Sequence, residues 1–191
     1  MKGTRPLTKE EVSQVQELFL GQDQKRNYAL FTLGYYSGLR ASELLSLKVE
    51  DVIQHGKPRK HVHVSRTHVK GKKHGREVIF HPAAQEAIQL WLTEHPCPEP
   101  KSPLFVCLKG RHKALSYKTA WVIYKSAFET LQLEGSLATH STRKAFCDRV
   151  YKNYKHDLVK TQKALGHTSI LTTVKYVSFL EEDVERGIPE M

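Results

Sequence analysis

Apolar residues in this 191-residue chain recur at helical spacing on both sides of residues 49–80 and alternate with a period of two inside that stretch. A helix must bury a stripe repeating near every 3.6 residues, and a strand one face repeating every two. The switch therefore allows one arrangement above others: a mostly helical α+β domain interrupted once by a small antiparallel sheet, expected to be three-stranded. The predicted strands are Val49–Ile53, His61–Val64 and Glu77–Phe80, separated by turns at Gly56-Lys57-Pro58 and Gly71 to Gly75. No internal repeat and no low-complexity tract argues for a solenoid.

The helices announce their own ends. Thr8 with Glu11 makes a capping box, and Leu7 with Val12 the staple around it, ahead of the stripe Val12, Val15, Leu18, Phe19 that stops at Gly21. Tyr28 to Tyr36 ends at Ser37-Gly38, where glycine can turn the chain with positive φ. A short helix follows with Leu44, Leu45 and Leu47 inward. Pro82 suits a first helical position, ahead of Ala84, Ala87, Ile88, Trp91 and Leu92. Four of the eight prolines crowd between Pro96 and Pro103, which reads as a stiff connector inside one domain. Ser116 caps the next helix, with Ala120, Ile123, Tyr124, Ala127 and Leu131 apolar. Further helices are expected after His140, from Leu158 to Leu165 before Gly166, and from about Ser169 onward.

Charge narrows the class of partner. Thirty Lys+Arg against 20 Asp+Glu leave +10, unevenly placed. Residues 55–76 hold eight Lys/Arg, five His and no acid; residues 100–128 hold six Lys/Arg and no acid; beyond Tyr176 five acids face Arg186 alone. Two basic blocks of this kind suit a polyanion whose counterions they displace, double-stranded DNA first, while solvated loops are the plainer alternative. Arg111, Lys113, Lys118 and Lys125 are candidate phosphate contacts, as are Lys72 and Lys73 in the first block. Tyr117, Trp121 and Tyr124 interleave the second block and, at helical spacing, read as core rather than as base-stacking platforms.

Other classes recede. No run of 18 apolar residues is present, so a helical membrane span is not expected. Met1–Arg5 is basic without an apolar stretch behind it, so the expected location is the cytoplasm, on the nucleoid. Cys97, Cys107 and Cys147 are three in number and form no C-x-x-C pair, against a disulfide framework or structural zinc. His61 and His63 share a strand face, but no third ligand of matching spacing accompanies them, so no metal and no cofactor is expected.

Three segments remain: Gly38-Leu39-Arg40-Ala41-Ser42-Glu43-Leu44, His140-Ser141-Thr142-Arg143, and Leu165-Gly166-His167 followed nine residues later by Tyr176. Each is weak alone. An H-x-x-R is commonly a surface pair, and a Leu-Gly-His a helix C-cap. Their joint order resembles the tyrosine recombinase, or phage integrase, family, whose catalytic domain carries an Arg in a G-L-R-x-S-E-L turn, a hairpin Lys, H-x-x-R, L-G-H and then Tyr. The resemblance spans residues 38–176 and implies that family's catalytic fold. It implies a catalytic set of Arg40, Lys70, His140, Arg143, His167 and Tyr176, with Glu43 as supporting acid. Lys72 and Lys73 share the hairpin with Lys70 and stay open as alternatives.

The chemistry of those residue types is consistent. A tyrosine can attack phosphorus and keep the bond energy as a phosphodiester for religation. Two guanidiniums offer planar forks to the charge that builds on the non-bridging oxygens. A phenol needs a base, for which His140 is the candidate, and the departing 5′-oxygen needs a proton, which a hairpin lysine can give. The resemblance implies a site-specific recombinase that integrates DNA by breaking and rejoining strands. No ATP or metal would be needed, and the family role would be in a mobile element. It implies a homo-oligomer on DNA, a tetrameric synapse, with an accessory DNA-bending protein as a further possible partner. A non-cleaving DNA-binding regulator and a type IB topoisomerase-like relaxer are the alternatives. Only 39 residues precede Arg40. The expected organisation is therefore a catalytic domain over 1–180 and an acidic tail over 181–191, without the helical core-binding domain usual in the family.

Overall fold

The computed structural model describes residues 4–64, 75–110 and 112–177. Lys70, Lys72, Lys73, Arg111 and the acidic tail lie outside the described residues, so the expectations placed on them have no structural counterpart here.

Helix α1 (Lys9–Gly21) starts at the capping box read from the sequence. Thr8 Oγ1 accepts from the Glu11 N–H at 3.2 Å, and the Glu11 carboxylate accepts from the Thr8 N–H at 2.9 Å. Helix α2 (Lys25–Ser37) is the central element. Nine of its 13 residues are buried, because α1, α5 (Pro82–Leu92) and α7 (Thr139–Asn153) pack against it from different sides. A helix covered on several faces cannot show a polar stripe, which is why its sequence is apolar nearly all round. Short α3 (Ala41–Ser46) follows the α2 terminus directly.

The sheet departs from the three-stranded expectation. Val49–Val52 forms a helical turn, α4, and not a strand. Asp51 accepts the Lys48 N–H at 2.8 Å, while the Val49 and Glu50 N–H groups go to the Ser102 and Pro100 carbonyls. Those capping bonds give the segment a helical start that a two-residue period cannot reveal. Two antiparallel ladders result among the described residues, β1 (Ile53–Gln54) with β2 (Lys57–Pro58) and β3 (His61–Val64) with β4 (Arg76–Ile79). In the second, Val62 pairs with Val78 and turns inward, while His61 and His63 face out opposite Ile79 and Glu77.

The proline-rich connector packs into the domain, as one core requires. Leu104, Phe105 and Val106 are fully buried, the Leu104 N–H reaches the Leu47 carbonyl, and the Trp91 indole donates to the Leu104 carbonyl at 2.7 Å. Helix α6 (Tyr117–Thr130) is capped by Ser116 and buries Ala120, Tyr124, Ala127 and Phe128. Two of the three aromatics expected in the core are not there. Tyr124 is buried, but Tyr117 and Trp121 are 51% and 42% exposed. The buried stripe of α6 runs through Ala120, Tyr124, Ala127 and Phe128, and the Tyr117 and Trp121 rings fall outside it. Helices α8 (Leu158–Leu165) and α9 (Ile170–Val177) close the described fold. No described helix is long and apolar enough to cross a membrane.

Candidate active site

Two chain turns, at Gly38 and at Leu165–His167, converge on one buried guanidinium. Helix α2 ends at Gly38 with φ 61°, a left-handed value that glycine adopts without a Cβ penalty. A Cβ there would overlap the Phe146 ring of α7, so the glycine is also the contact that lets the two helices meet. Gly38→Ala is therefore expected to cost about 2–4 kcal/mol of stability, strain and overpacking together, readable by urea denaturation. A loss below half a kilocalorie would contradict the packing argument.

Arg143, on α7, is 1% exposed and donates to the Gly38 carbonyl, to the Leu165 carbonyl at 2.9 Å and to His167 Nε2 at 2.9 Å. Its Nε has no hydrogen-bond partner among the described residues. Burial first, then the positive charges of Arg40 and Arg76, lower its pKa from 12.5 to about 10; it remains cationic at neutral pH. His140 lies one turn earlier on the same helix, as the i, i+3 spacing predicts, but it opens to solvent. Packing around its ring, followed by the charges of Arg143, Arg40 and Lys144, holds its pKa below the ordinary histidine value.

Arg40 occupies the N-cap position of α3 in extended conformation, 38% exposed at its side chain. Glu43 holds it twice: one carboxylate oxygen accepts the Arg40 backbone N–H at 2.7 Å, the other pairs with its guanidinium at 3.3 Å. The contact anchors Arg40 rather than hiding it, since its side chain stays 38% exposed. Glu43 is largely buried, which alone would raise its pKa; the Arg40 N–H and the charges of Arg76, Arg143 and Arg40 more than offset this and lower it.

Helix α8 ends at Gly166, φ 62°, with the His167 N–H returning to the Gln162 carbonyl and the Gly166 N–H to Lys163. This closure aims His167 back at Arg143. Helix α9 then brings Tyr176 alongside, its ring 5.2 Å from the His167 ring and 6.0 Å from the Arg143 guanidinium carbon. The structure thus gathers Arg143, His167 and Tyr176 into direct contact range, joins Arg40 to Glu43 beside them, and sets His140 at the edge.

Two residues of the site were not singled out from sequence. Arg76, on β4, pairs with Glu43 at 3.2 Å, donates to the Ala164 carbonyl, and lies over Gly166 where any Cβ would collide with it. It ties the hairpin, α3 and the α8 terminus together. Thr173, three residues before Tyr176, hydrogen bonds His167 Nδ1 at 2.9 Å. The i, i+3 relation of Thr173 to Tyr176 was a usable signal; nothing local marks Arg76.

The ionic balance is lopsided. Arg40, Arg76 and Arg143 surround one carboxylate, Glu43, among the described residues. Such a site suits a group that brings negative charge with it. On the flank, Tyr117 Oη is 3.2 Å from Thr139 Oγ1, holding the start of α6 beside the start of α7. Lys113 and Lys118 are exposed, while Lys125 is partly covered and pairs with Glu129 at 3.6 Å. His61 pairs with Glu77 at 2.6 Å, and no group of three metal-ligating side chains occurs among the described residues.

Comparison with known proteins agrees with this geometry. A model of the phage integrase family matches residues 5–182. The probable integrase/recombinase YoeC of Bacillus subtilis is 30% identical over 178 residues, covering 93% of this chain and 90% of that protein. The tyrosine recombinase XerC of Caldanaerobacter subterraneus subsp. tengcongensis is 30% identical over 184 residues, 95% of this chain but 49% of the relative. The chain thus spans most of one relative and about half of the other. Among solved structures, the XerH site-specific recombinase bound to palindromic difH substrate, a post-cleavage complex, shares the fold with a TM-score of 0.74 at 22% identity. That match covers 97% of this chain and 52% of the other.

Proposed function

The chain belongs to the phage integrase family, and from that premise we propose that it is a site-specific DNA strand transferase with Tyr176 as its nucleophile. The observation that carries the reading is the placement of the Tyr176 ring beside Arg143 and His167 of its own chain, in a site where three guanidiniums surround one carboxylate among the described residues. In this reading the scissile phosphate enters between Arg40 and Arg143, whose N–H groups meet its non-bridging oxygens. Tyr176 Oη forms a bond to phosphorus as the bond to the 5′-oxygen breaks, leaving a 3′-phosphotyrosine. His140 takes the phenol proton, a hairpin lysine (Lys70, or Lys72 or Lys73) protonates the leaving oxygen, and His167 donates to the phosphate. Attack by a partner strand's 5′-hydroxyl reverses the sequence and religates. No step calls for ATP or a metal ion. Double-stranded DNA is the partner, held further by Arg111, Lys113, Lys118 and Lys125. Strand exchange joins two duplexes, so in this reading the protein acts as one unit of a tetramer on DNA, with or without a DNA-bending helper. The acidic tail would then serve a protein contact.

The test is covalent capture in EDTA. Duplexes selected for binding from a randomised pool are nicked near the centre, so that a cleaved end diffuses away. A protein–DNA adduct in the native chain, absent in Tyr176→Phe, is the expected result. Tight binding without adduct in either chain would refute cleavage and leave a regulator. Relaxation of any supercoiled plasmid would point instead to a topoisomerase-like activity.

The lowered pKa of His140 gives that assay a pH signature. A base works when deprotonated, so adduct formation is expected to fall on the acid side with a midpoint below the ordinary histidine value of 6.5. A midpoint above 6.5, or an acid limb that persists in His140→Gln, would remove His140 from the role of base.

A further inference from the structure

Thr173 is fully buried on α9, and its Oγ1 lies 2.9 Å from His167 Nδ1. The other ring nitrogen, Nε2, lies 2.9 Å from a terminal nitrogen of Arg143. A guanidinium has donors only, so Nε2 must accept there, and a neutral imidazole then carries its proton on Nδ1. In the free protein the Nδ1–H therefore donates to Thr173. A phosphate between Arg143 and His167 makes the opposite demand. To offer an N–H to a phosphate oxygen, Nε2 must carry the proton and Nδ1 must become an acceptor. Few small side chains can serve both states. A carboxylate only accepts and an ammonium only donates, whereas a hydroxyl does either by rotating about its C–O bond.

We propose that Thr173 is a positioning residue that lets His167 exchange tautomers between the free and the phosphate-bound site. The proposal rests on the reading of Arg143 and His167 as phosphate ligands given above. The ring stays neutral throughout. One proton leaves Nδ1 for solvent and one from solvent arrives at Nε2; the Thr173 proton stays on Oγ1 and turns toward Nδ1. The Arg143 N–H turns from Nε2 to a phosphate oxygen. No oxidant, reductant or further reactant is involved. Because Thr173 and Tyr176 share one helix, three residues apart, the same hydrogen bond also registers the Tyr176 ring against His167.

The test reads the ring nitrogens directly, on the whole chain labelled with nitrogen-15 histidine and without DNA. Native His167, assigned by its disappearance in His167→Gln, is expected to show a protonated Nδ1 and a bare Nε2. Thr173→Ser, which keeps the hydroxyl, is expected to preserve that pattern. Thr173→Val, nearly the same shape without the hydroxyl, is expected to keep the proton on Nδ1, because the Arg143 donor still faces Nε2, but to leave that N–H without its acceptor. In the covalent-capture assay the valine variant should form adduct about 10- to 100-fold more slowly, with the serine variant within a few-fold of native. A native His167 protonated on Nε2 would overturn the proposal, as would a valine variant that forms adduct at the native rate. The native spectrum needs no variant, so it decides the matter even where Thr173→Val fails to fold. A native chain that forms no adduct on bound DNA overturns the functional reading instead, and the spectra then judge the tautomer assignment by themselves.

Discussion

Replacing Arg143 with alanine is expected to abolish adduct formation and to cost about 3–5 kcal/mol of folding stability. The size follows from two opposed terms. Three hydrogen bonds from a charged donor are lost, to the Gly38 and Leu165 carbonyls and to His167, each worth about 1.5–3 kcal/mol. Two of the abandoned acceptors are main-chain carbonyls with no route to another donor in a closed interior. Against this, burial and two neighbouring arginines hold the native cation in an unfavourable place, as its pKa near 10 records. Removing the cation relieves that tension, which keeps the net loss below the sum of the bonds. Arg143→Lys restores charge but not the fork, since one ammonium cannot face three acceptors spread around a plane. It should recover part of the stability and none of the adduct. Urea denaturation and covalent capture on the same preparations would check both; an alanine variant of native stability would show that Arg143 does not brace the turns it touches.

Removing Glu43 should produce the second large effect. Glu43→Ala leaves Arg40, Arg76 and Arg143 without the carboxylate they share and is expected to destabilise by about 3–5 kcal/mol. Glu43→Gln keeps an acceptor for the Arg40 N–H and should lose less. The two chains also differ in pH response, with a sign that can be worked out. The native pKa of Glu43 is depressed below 4.5, so the folded state binds this proton more weakly than the unfolded state does. Its contribution is fully present above the unfolded value and fades as pH falls through the lowered native one. The stability gap between native and Glu43→Gln should thus be flat near neutrality and shrink below pH 4.5. A gap that stays constant to pH 3 would contradict the charge-sharing role.

How much of this could be read from residues depends on how local the deciding forces are. Thr8 and Glu11, Ser116 and Thr119, Gly38 and Gly166 act within one turn of chain, so the caps they form were legible. Val49–Val52 departs from the expected strand: its two valines stand at the helical spacing i, i+3, too short a pattern to outweigh the strands that follow, and the Ser102 and Pro100 carbonyls that hold its first N–H groups lie about fifty residues away. Spacing alone puts Tyr117 and Trp121 inside, whereas the face of α6 that packs is the one through Ala120, Tyr124, Ala127 and Phe128, which its contacts with other helices select. The site divides the same way. Arg40, His140, Arg143, His167 and Tyr176 were named from motif order, and the structure brings Arg143, His167 and Tyr176 together, with Arg40 and His140 beside them. Arg76 went unnoticed, because its bond to Glu43 joins residues 33 apart and a strand to a helix.

Sequence alone determined where the longer helices run, where the chain can reverse with positive φ, and which chemical groups stand in which order. Those outcomes depend on steric limits and bonds within a few residues. The tertiary structure alone decided what each group is bound to. Arg143 is held by carbonyls 105 and 22 residues away, and every residue carries such a carbonyl, so no side-chain pattern marks the two that were used. Whether an arginine lies exposed in water or buried, as Arg143 is, is settled by the helices that close around it.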